Sequence, residues 1–161
     1  MSSRDNYTFA NHSSIPANLG PKLSAFIRSW DDTHSQENRY LSLSAPDGEL
    51  VFGPTSAKGR DAIRALRDAM IHPTNGPVVN LQHTLGKCFV LAGGGAEHEG
   101  RQEIIVNGSI WYELKNGRRV YADFASFMVF VDTGHGELQA AFYEVYLDSL
   151  GWMTAIKEMD E

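Results

Sequence analysis

Cysteine is almost missing from this sequence of 161 residues, and basic residues are in the minority. The single cysteine, Cys88, has no second thiol in the chain, so no disulfide framework is predicted. Proteins without disulfides are typical of reducing compartments, and we therefore expect a cytoplasmic location. The 14 Lys and Arg residues are outnumbered by 20 Asp and Glu residues, which gives a net charge of −6. This acidic balance does not favour binding to a phosphate backbone, so no nucleic-acid partner is predicted.

Long apolar runs are missing too, because no segment reaches the roughly 18 consecutive apolar residues of a membrane-spanning helix. Residues 1–17 are rich in Ser and Asn and contain no apolar stretch of the signal-peptide type. We predict a flexible N-terminal arm over residues 1–17, a single domain over residues 18–161 and no membrane partner. A chain of this length has room for one core and one internal pocket but not for a separate cofactor-binding domain, and no cofactor is predicted.

Several catalytic signatures are also missing. No serine stands in the Gly-x-Ser-x-Gly context of a nucleophile elbow. The triglycine Gly93–Gly95 lacks the Lys-Ser/Thr pair of a phosphate-binding loop and is predicted to be a hairpin turn. The spacing of the histidines in predicted loops is not that of paired metal ligands, so no metal site is predicted. These histidines are His34, His72, His98 and His135.

The first half of the chain has the periodicity of amphipathic helices. The first predicted helix has apolar residues at three- and four-residue steps, namely Leu19, Leu23, Phe26, Ile27 and Trp30. A second short helix is predicted over Ser35 to Leu41, and a short strand over Glu49 to Phe52. A third helix, with Thr55 or Ser56 as its cap, carries the apolar residues Ile63, Leu66, Ala69 and Met70.

Three basic residues of that third helix, Arg60, Arg64 and Arg67, are interleaved with Asp61 and Asp68. Alternating charges of this kind are typical of a helix face exposed to solvent. We therefore interpret all three arginines as surface residues.

The second half of the chain alternates apolar and polar residues and is rich in Val, Ile, Phe, Tyr and Trp. Four long strands are predicted, over residues 78–91, 103–114, 118–132 and 137–148. The segments between them contain the turn signals Gly93–Gly95, Asn116–Gly117 and Thr133–Gly136. Helices followed by strands predict an α+β domain, with about three helices packed on one face of a curved, mainly antiparallel sheet.

This arrangement resembles the nuclear-transport-factor-2-like superfamily, which includes the SnoaL-like polyketide cyclases, scytalone dehydratase and ketosteroid isomerase. The resemblance covers about residues 18–157. It rests on the helix ending in Trp30-Asp31-Asp32, the segment Asp47–Pro54, the helix opener Gly59–Ile63 and the four-strand tail. It implies a cone-shaped fold, also called a cystatin-like roll, and the activity of a small-molecule isomerase, cyclase or dehydratase. Other members only bind partners or ligands, so the fold does not decide the function.

His83 is the first candidate catalytic residue. It takes an apolar position in the alternation of Leu81, His83 and Leu85, so we predict that it faces the core. An imidazole can act as a general acid or base near neutral pH. The step Gln82-His83 resembles one in scytalone dehydratase, which implies an acid/base role for His83. A buried structural histidine is the alternative.

Asp123 and Glu144 are the candidate partners of His83. The strand of Asp123 is apolar on both faces, so we expect this carboxylate to be partly buried, with a tie to Arg118 or Arg119 as the alternative. Two apolar faces also predict that one lines the cavity while the other meets a second subunit in a homodimer. The resemblance implies that Glu144, in the last strand, projects into the cone. A polar strand face in water is the alternative.

Large aromatic side chains are predicted to line the cavity. They are Trp30, Tyr40, Phe52, Trp111, Tyr112, Phe127, Phe142 and Tyr146. An apolar pocket with a few polar groups is typical of a small-molecule site. We therefore expect a cofactor-independent isomerase, cyclase or dehydratase that acts on a hydrophobic, oxygenated metabolite of polyketide or terpenoid type. A non-catalytic ligand-binding or dimerisation module of the same fold is the alternative function.

Overall fold

The computed structural model describes residues 6–91, 100–134 and 136–160. Its helices are α1 (Gly20–Asp31), α2 (Arg39–Ser42), α3 (Arg60–Met70) and α4 (Leu150–Lys157). Its strands are β1 (Ser44–Phe52), β2 (Thr55–Lys58), β3 (Val78–Val90), β4 (Arg101–Leu114), β5 (Arg119–Asp132) and β6 (Leu138–Leu147). The predicted α+β class is confirmed, with a mainly antiparallel sheet.

The second half of the chain follows the predicted strands closely, whereas the first half differs in detail. The predicted second helix is reduced to α2, and the predicted cap of the third helix is instead the strand β2, which turns back on β1. The C-terminal helix α4 has no counterpart in the sequence prediction. The predicted turn at Gly93–Gly95 and the histidines His98 and His135 lie outside the described residues.

The six strands found in the described ranges form one sheet in the order β2-β1-β6-β5-β4-β3. Every neighbouring pair is antiparallel except β1 and β6, which run parallel. The helices lie on one face of the sheet. Phe26 of α1 contacts Phe130 and Tyr143, and Trp152 of α4 contacts Tyr112. We call the sheet face under these helices the inner face and the opposite face the outer face.

Side-chain alternation decides which residues reach each face. On β3, Leu81, His83 and Leu85 face inward and are buried, as predicted. On β5, Phe124 faces inward, and its ring meets the ring of His83 edge-on at 4.9 Å between centroids. A one-residue shift along any of these strands would exchange the two faces.

The N-terminal residues 6–17 contact the rest of the domain. Tyr7 and Phe9 are buried in the core, and the Ala10 N–H donates a 2.8 Å hydrogen bond to the Gly86 carbonyl. The sequence predicts a flexible arm here, but this part of it belongs to the packed structure. In the described ranges, no helix is long and apolar enough to cross a membrane.

Gly108, in the middle of β4, lies where the neighbouring strands leave no space for a side chain. It pairs with Leu85 on one side and with Phe124 on the other. A Cβ atom at this position would overlap the Thr84 carbonyl oxygen and lie 3.0 Å from the Phe124 ring. The absence of a side chain at Gly108 therefore lets Phe124 reach His83.

Gly108→Ala is expected to lower the free energy of unfolding by about 2–3 kcal/mol, because backbone must move to admit the new methyl group. Urea unfolding followed by circular dichroism measures this change. Gly151→Ala is the control, since its Cβ would lie 3.8 Å from the nearest atom, in a helix that alanine favours. Equal stability of Gly108→Ala and wild type would contradict the expected overlap.

Candidate active site

A buried aspartate–histidine pair lies at the centre of the cone. Asp31, the last residue of α1, is 5% exposed and His83 is 7% exposed. The Nδ1 atom of His83 lies 2.6 Å from Oδ1 of Asp31. The other carboxylate oxygen, Oδ2, accepts the backbone N–H of His83 at 2.7 Å and the hydroxyl of Tyr7 at 2.6 Å. Three donors therefore hold one buried carboxylate.

This location is costly for a carboxylate, and the donors offset the cost. The C-terminal end of a helix carries partial negative charge, and burial removes the water that would solvate Asp31. Hydrogen bonds to the ionised form of a carboxyl group stabilise that form. The ionised Asp31 only accepts hydrogen bonds, so His83 must carry its neutral-form proton on Nδ1.

The second ring nitrogen of His83, Nε2, has no hydrogen-bond partner among the described residues. In the neutral ring with its proton on Nδ1, Nε2 has a free lone pair. His83 lines an internal cavity, and the edge-on contact with Phe124 fixes the plane of its ring. The arrangement presents a general base whose other nitrogen is held by a carboxylate.

The cavity beside His83 has a volume of about 70 Å³. Its lining is mostly apolar and comes from α1, α3, α4 and the inner face of the sheet. The lining residues include Trp30, Leu50, Phe52, Met70, Val78, Ile110, Tyr112, Tyr143, Val145 and Trp152. A volume of this size holds about two water molecules or a ligand group of a few non-hydrogen atoms.

Two tyrosines of this lining carry hydroxyl groups that stay protonated. Burial raises the pKa of Tyr112 above its ordinary value, and the nearby Tyr143 and Asp31 raise it further. Burial likewise raises the pKa of Tyr143. A buried neutral phenol can donate a hydrogen bond to an oxygen atom of a ligand. Tyr112 is thus a candidate donor within the cavity of His83.

Arg67 brings a buried positive charge to the same cavity. Its Nη2 donates to the Trp30 carbonyl at 2.7 Å and so satisfies an open carbonyl at the end of α1. Burial lowers the pKa of this arginine, and its guanidinium lies 4.7 Å from the ring centroid of Tyr40. The interpretation of Arg67 as a surface residue is wrong, because α3 turns this one arginine toward α1.

Three buried N–H groups around the cavity have no hydrogen-bond partner. They are Nε1 of Trp30, Nε1 of Trp152 and Nε of Arg67. All three are donors, and a buried donor without a partner costs free energy. A ligand atom that accepts hydrogen bonds would remove this cost.

The structure does not bring Asp123 or Glu144 to His83. Asp123 is exposed, so the expectation that it is partly buried is wrong. Its neighbour Phe124 occupies the inner face, which leaves Asp123 on the outer face. Glu144 pairs with Phe127 on that outer face, while Tyr143 faces inward. The carboxylate at His83 is Asp31 instead.

Of the predicted cavity residues, Trp30, Phe52 and Tyr112 line the cavity. Tyr40 is buried next to it, where its ring contacts Trp30 at 4.6 Å between centroids. The remaining four lie on the outer face. They are Trp111, Phe127, Phe142 and Tyr146.

Two of these aromatic residues, Trp111 and Tyr146, contact charged side chains on the outer face. The guanidinium of Arg119 lies 4.3 Å from the ring centroid of Trp111. The hydroxyl of Tyr146 bonds to Glu144, and this hydrogen bond raises the pKa of Tyr146. The alternation on β6 separates the two faces as predicted, but the face predicted to enter the cone is the outer one.

Sequence analysis missed Asp31, Tyr7 and Arg67 as residues of the site. Asp31 had a detectable signal, because it follows Leu23 and Ile27 at four-residue steps and so continues the buried stripe of α1. A carboxylate on an apolar stripe indicates a buried partner. For Tyr7, the alternation with Phe9 predicts an extended segment with one buried face.

In the ranges that the structure covers, no group of three or more His, Cys, Asp or Glu side chains lies together as metal ligands would.

Comparison with known proteins identifies the fold. Comparison with family models and with curated protein sequences gives no match. Among solved structures, hexachlorocyclohexane dehydrochlorinase LinA-type3 from Novosphingobium barchaimii is similar with a TM-score of 0.67 and 14% identity, over 82% of this chain and 85% of that one. An NTF2-like protein with a cystatin-like fold from Novosphingobium aromaticivorans has a TM-score of 0.61 and 21% identity, over 86% of each chain.

Nuclear transport factor 2 from Cryptosporidium parvum is also similar, with a TM-score of 0.57 and 12% identity, over 78% of this chain and 88% of that one. The names of the dehydrochlorinase and of the transport factor denote different functions. At such low identity the similarity shows a shared fold and not a shared reaction.

Asp31→Asn is expected to move the proton of His83 from Nδ1 to Nε2. The asparagine side chain has an NH₂ group that must donate, so Nδ1 of His83 becomes its acceptor. Nitrogen-15 NMR of labelled histidine distinguishes the two forms without any substrate. Asp32→Asn is the matched control, because Asp32 accepts only from the backbone N–H groups of His34 and Ser35. Retention of the Nδ1 proton in Asp31→Asn would contradict the assigned hydrogen bond.

Proposed function

We propose that this chain, which has the nuclear-transport-factor-2-like fold, is a small-molecule lyase or isomerase in which His83 is the general base. The observation that carries the proposal is the 2.6 Å contact between Asp31 and Nδ1 of His83 inside an apolar cavity. Asp31 fixes the ring and stabilises the imidazolium that forms when Nε2 takes a proton. Such a pair suits proton transfer from carbon.

The proposed reaction begins when Nε2 of His83 removes a proton from a substrate carbon. The electron pair left on that carbon forms a double bond, and a neighbouring group leaves or an adjacent carbonyl oxygen takes the negative charge. In an elimination the imidazolium returns its proton to the leaving group, and in an isomerisation to another carbon. The Tyr112 hydroxyl donates a hydrogen bond to the oxygen on which charge develops.

The lining supports a mostly apolar substrate that carries an acceptor group. The apolar side chains match a hydrocarbon surface. The unpaired N–H groups of Trp30, Trp152 and Arg67 match a carbonyl, hydroxyl or carboxylate oxygen. This is the hydrophobic, oxygenated type of metabolite that the sequence predicts. At about 70 Å³ the cavity accepts only part of a ring system of polyketide size, so a larger substrate requires Trp152 of α4 to move.

One similar structure supports this reaction class by its name. A dehydrochlorinase removes the elements of hydrogen chloride from its substrate, which is an elimination. Removal of a proton from carbon is one part of any such elimination. The likeness of fold makes the class reasonable for this chain, while the argument itself rests on His83 and Asp31.

A non-catalytic ligand-binding module is the second candidate function. The observation in its favour is the small volume of the cavity, about 70 Å³. Nuclear transport factor 2 shows that the same fold occurs in a protein named for transport. In this case the Asp31–His83 pair would be a structural hydrogen bond in the core.

We also propose a homodimer through the outer face, in a cytoplasmic protein. A row of side chains crosses this face through Phe89, Ile105, Phe127 and Glu144 on four adjacent strands. Phe89 and Ile105 are about half exposed, and Tyr121 and Tyr146 of the same face are also exposed. A second copy of the chain would remove this apolar surface from water.

Ile105→Lys is expected to convert the dimer to a monomer, because a charge at the centre of an apolar interface loses its hydration. Sedimentation velocity at micromolar concentration measures the mass. Met153→Lys is the control, since Met153 is equally exposed but lies on α4. A monomeric wild-type protein at this concentration would exclude the proposed dimer.

His83→Gln is expected to lower turnover at least about 100-fold, because the side chain loses its base while it keeps a polar group of similar size. NMR in D₂O detects proton removal from carbon as deuterium uptake in cyclic ketones, and as alkene formation in β-hydroxy ketones and β-halogenated rings. Glu144→Gln and Asp123→Asn on the outer face are the controls and should keep wild-type rates. Equal turnover with His83→Gln would exclude His83 as the base. Ligand binding with neither uptake nor alkene formation in any of these classes would favour the non-catalytic module.

A further inference from the structure

The N-terminal segment of residues 6–11 is bound to the free edge of the sheet. β3 is the end strand of the described sheet, and its pairing with β4 shifts register between Leu85 and Cys88. The Gly86 carbonyl accepts the N–H of Ala10 at 2.8 Å. The side chain of Asn11 donates to the Cys88 carbonyl at 2.8 Å and accepts the Cys88 N–H at 3.0 Å. Three hydrogen bonds therefore fix this segment along β3.

The alternation of the segment turns Tyr7 toward the interior. Tyr7 and Phe9 are buried, whereas Thr8 and Ala10 between them are exposed. The guanidinium of Arg28, on α1, lies 6.0 Å from the centroid of the Tyr7 ring. The position of the Tyr7 hydroxyl is thus determined both by β3 and by α1.

The Tyr7 hydroxyl contacts the carboxylate of Asp31, which also binds His83. It donates to Oδ2 of Asp31 at 2.6 Å, while Oδ1 lies 2.6 Å from Nδ1 of His83. A carboxylate with donors on both oxygens cannot rotate about its Cβ–Cγ bond without breaking a hydrogen bond. The short distance is that of a hydroxyl donor to a charged acceptor.

We propose that Tyr7 is a positioning residue of the active site, delivered by the N-terminal segment to orient Asp31 and thereby His83. This inference rests on the proposed function, in which His83 is the base. Tyr7 does not line the cavity, so its action on a substrate passes through Asp31.

A groove next to Tyr7 indicates which donor would contact Asp31 if the hydroxyl were absent. A polar groove of about 630 Å³ reaches Tyr7 and Asp31 from the solvent side. Without the hydroxyl, a water molecule from this groove could join the His83 N–H as a donor to Oδ2, and it would be held less firmly than a hydroxyl on a packed ring. Tyr7 gives the carboxylate a fixed donor in place of exchanging water.

Removal of the Tyr7 donor has a defined electrostatic direction. The charged and titratable groups around the pair come from several elements. They are Arg28 of α1, Asp32 and Glu37 in the loop that follows it, Arg39 of α2, Arg67 of α3, Tyr112 of β4 and Tyr143 of β6. Tyr7→Phe leaves these in place and removes one hydrogen bond to the ionised carboxylate. Loss of a donor to the charged form favours protonation, so the pair takes up its proton at higher pH.

Tyr7→Phe in the full chain is expected to raise the midpoint of the His83 ring resonances in an NMR titration by about half a pH unit. The resonances are identified by their absence in His83→Gln. With a substrate, kcat is expected to fall about five-fold with KM unchanged, and the acidic limb of the kcat/KM profile should move in the same direction. Tyr121→Phe is the matched control, because Tyr121 is exposed on the outer face.

A second variant separates the hydroxyl from the segment that carries it. Asn11→Ala removes both hydrogen bonds to Cys88 but keeps Tyr7, and it should reproduce part of the midpoint change. Superimposed titrations of wild type and Tyr7→Phe would overturn the proposal, even if the variant unfolds at a lower temperature, because a purely structural tyrosine would change stability alone. The titration needs no substrate, so its result is independent of whether His83→Gln abolishes turnover.

Discussion

The buried carboxylate of Asp31 is the constraint on which the site depends. It lies at the end of a helix, away from water, where a negative charge would be unfavourable by itself. Asp31 lies on α1, and its three donors come from two other parts of the chain, the N-terminal segment through Tyr7 and β3 through His83. No one of these parts could hold the charge alone, so the positions of all three are linked. The Trp30 carbonyl lies at the same helix end, beside Asp31. Arg67 of α3 donates a hydrogen bond to it.

Several buried donors of cavity residues have no hydrogen-bond partner among the described residues, in contrast to the carboxylate of Asp31, which has three donors. Burial of an N–H group without an acceptor is unfavourable, and natural cores contain few such groups. Here three of them, on Trp30, Trp152 and Arg67, surround one small space beside His83. The interior therefore combines one fully satisfied acceptor with several open donors.

The positions of the strands and the division of their side chains between two faces could be predicted from the sequence. Which of the two faces points toward the helices could not. Apolar alternation placed β3 to β6 within a few residues, because each of these strands has one mainly apolar face. On β6, Tyr143 and Glu144 are neighbours on opposite faces, and both faces carry aromatic rings. Only the position of α1 over Tyr143 decides which of them is inside. The partner of His83 could have been found from the stripe of α1, and Arg67 likewise follows Ile63 by four residues on the stripe of α3. The contact of Arg67 with the Trp30 carbonyl depends on the meeting of two helices and has no local signal.

The parallel pairing of β1 with β6 has a consequence for the order of events during folding. Leu50 of β1 pairs with Tyr143 of β6. β1 is synthesised early, but it can pair with β6 only after this last strand of the described sheet has been made. Contacts so distant in sequence close large loops and slow the folding of a domain. Asp31 and His83 lie on segments that are synthesised well before β6. A ribosome-bound chain therefore contains both members of the aspartate–histidine pair before it has a complete cavity wall.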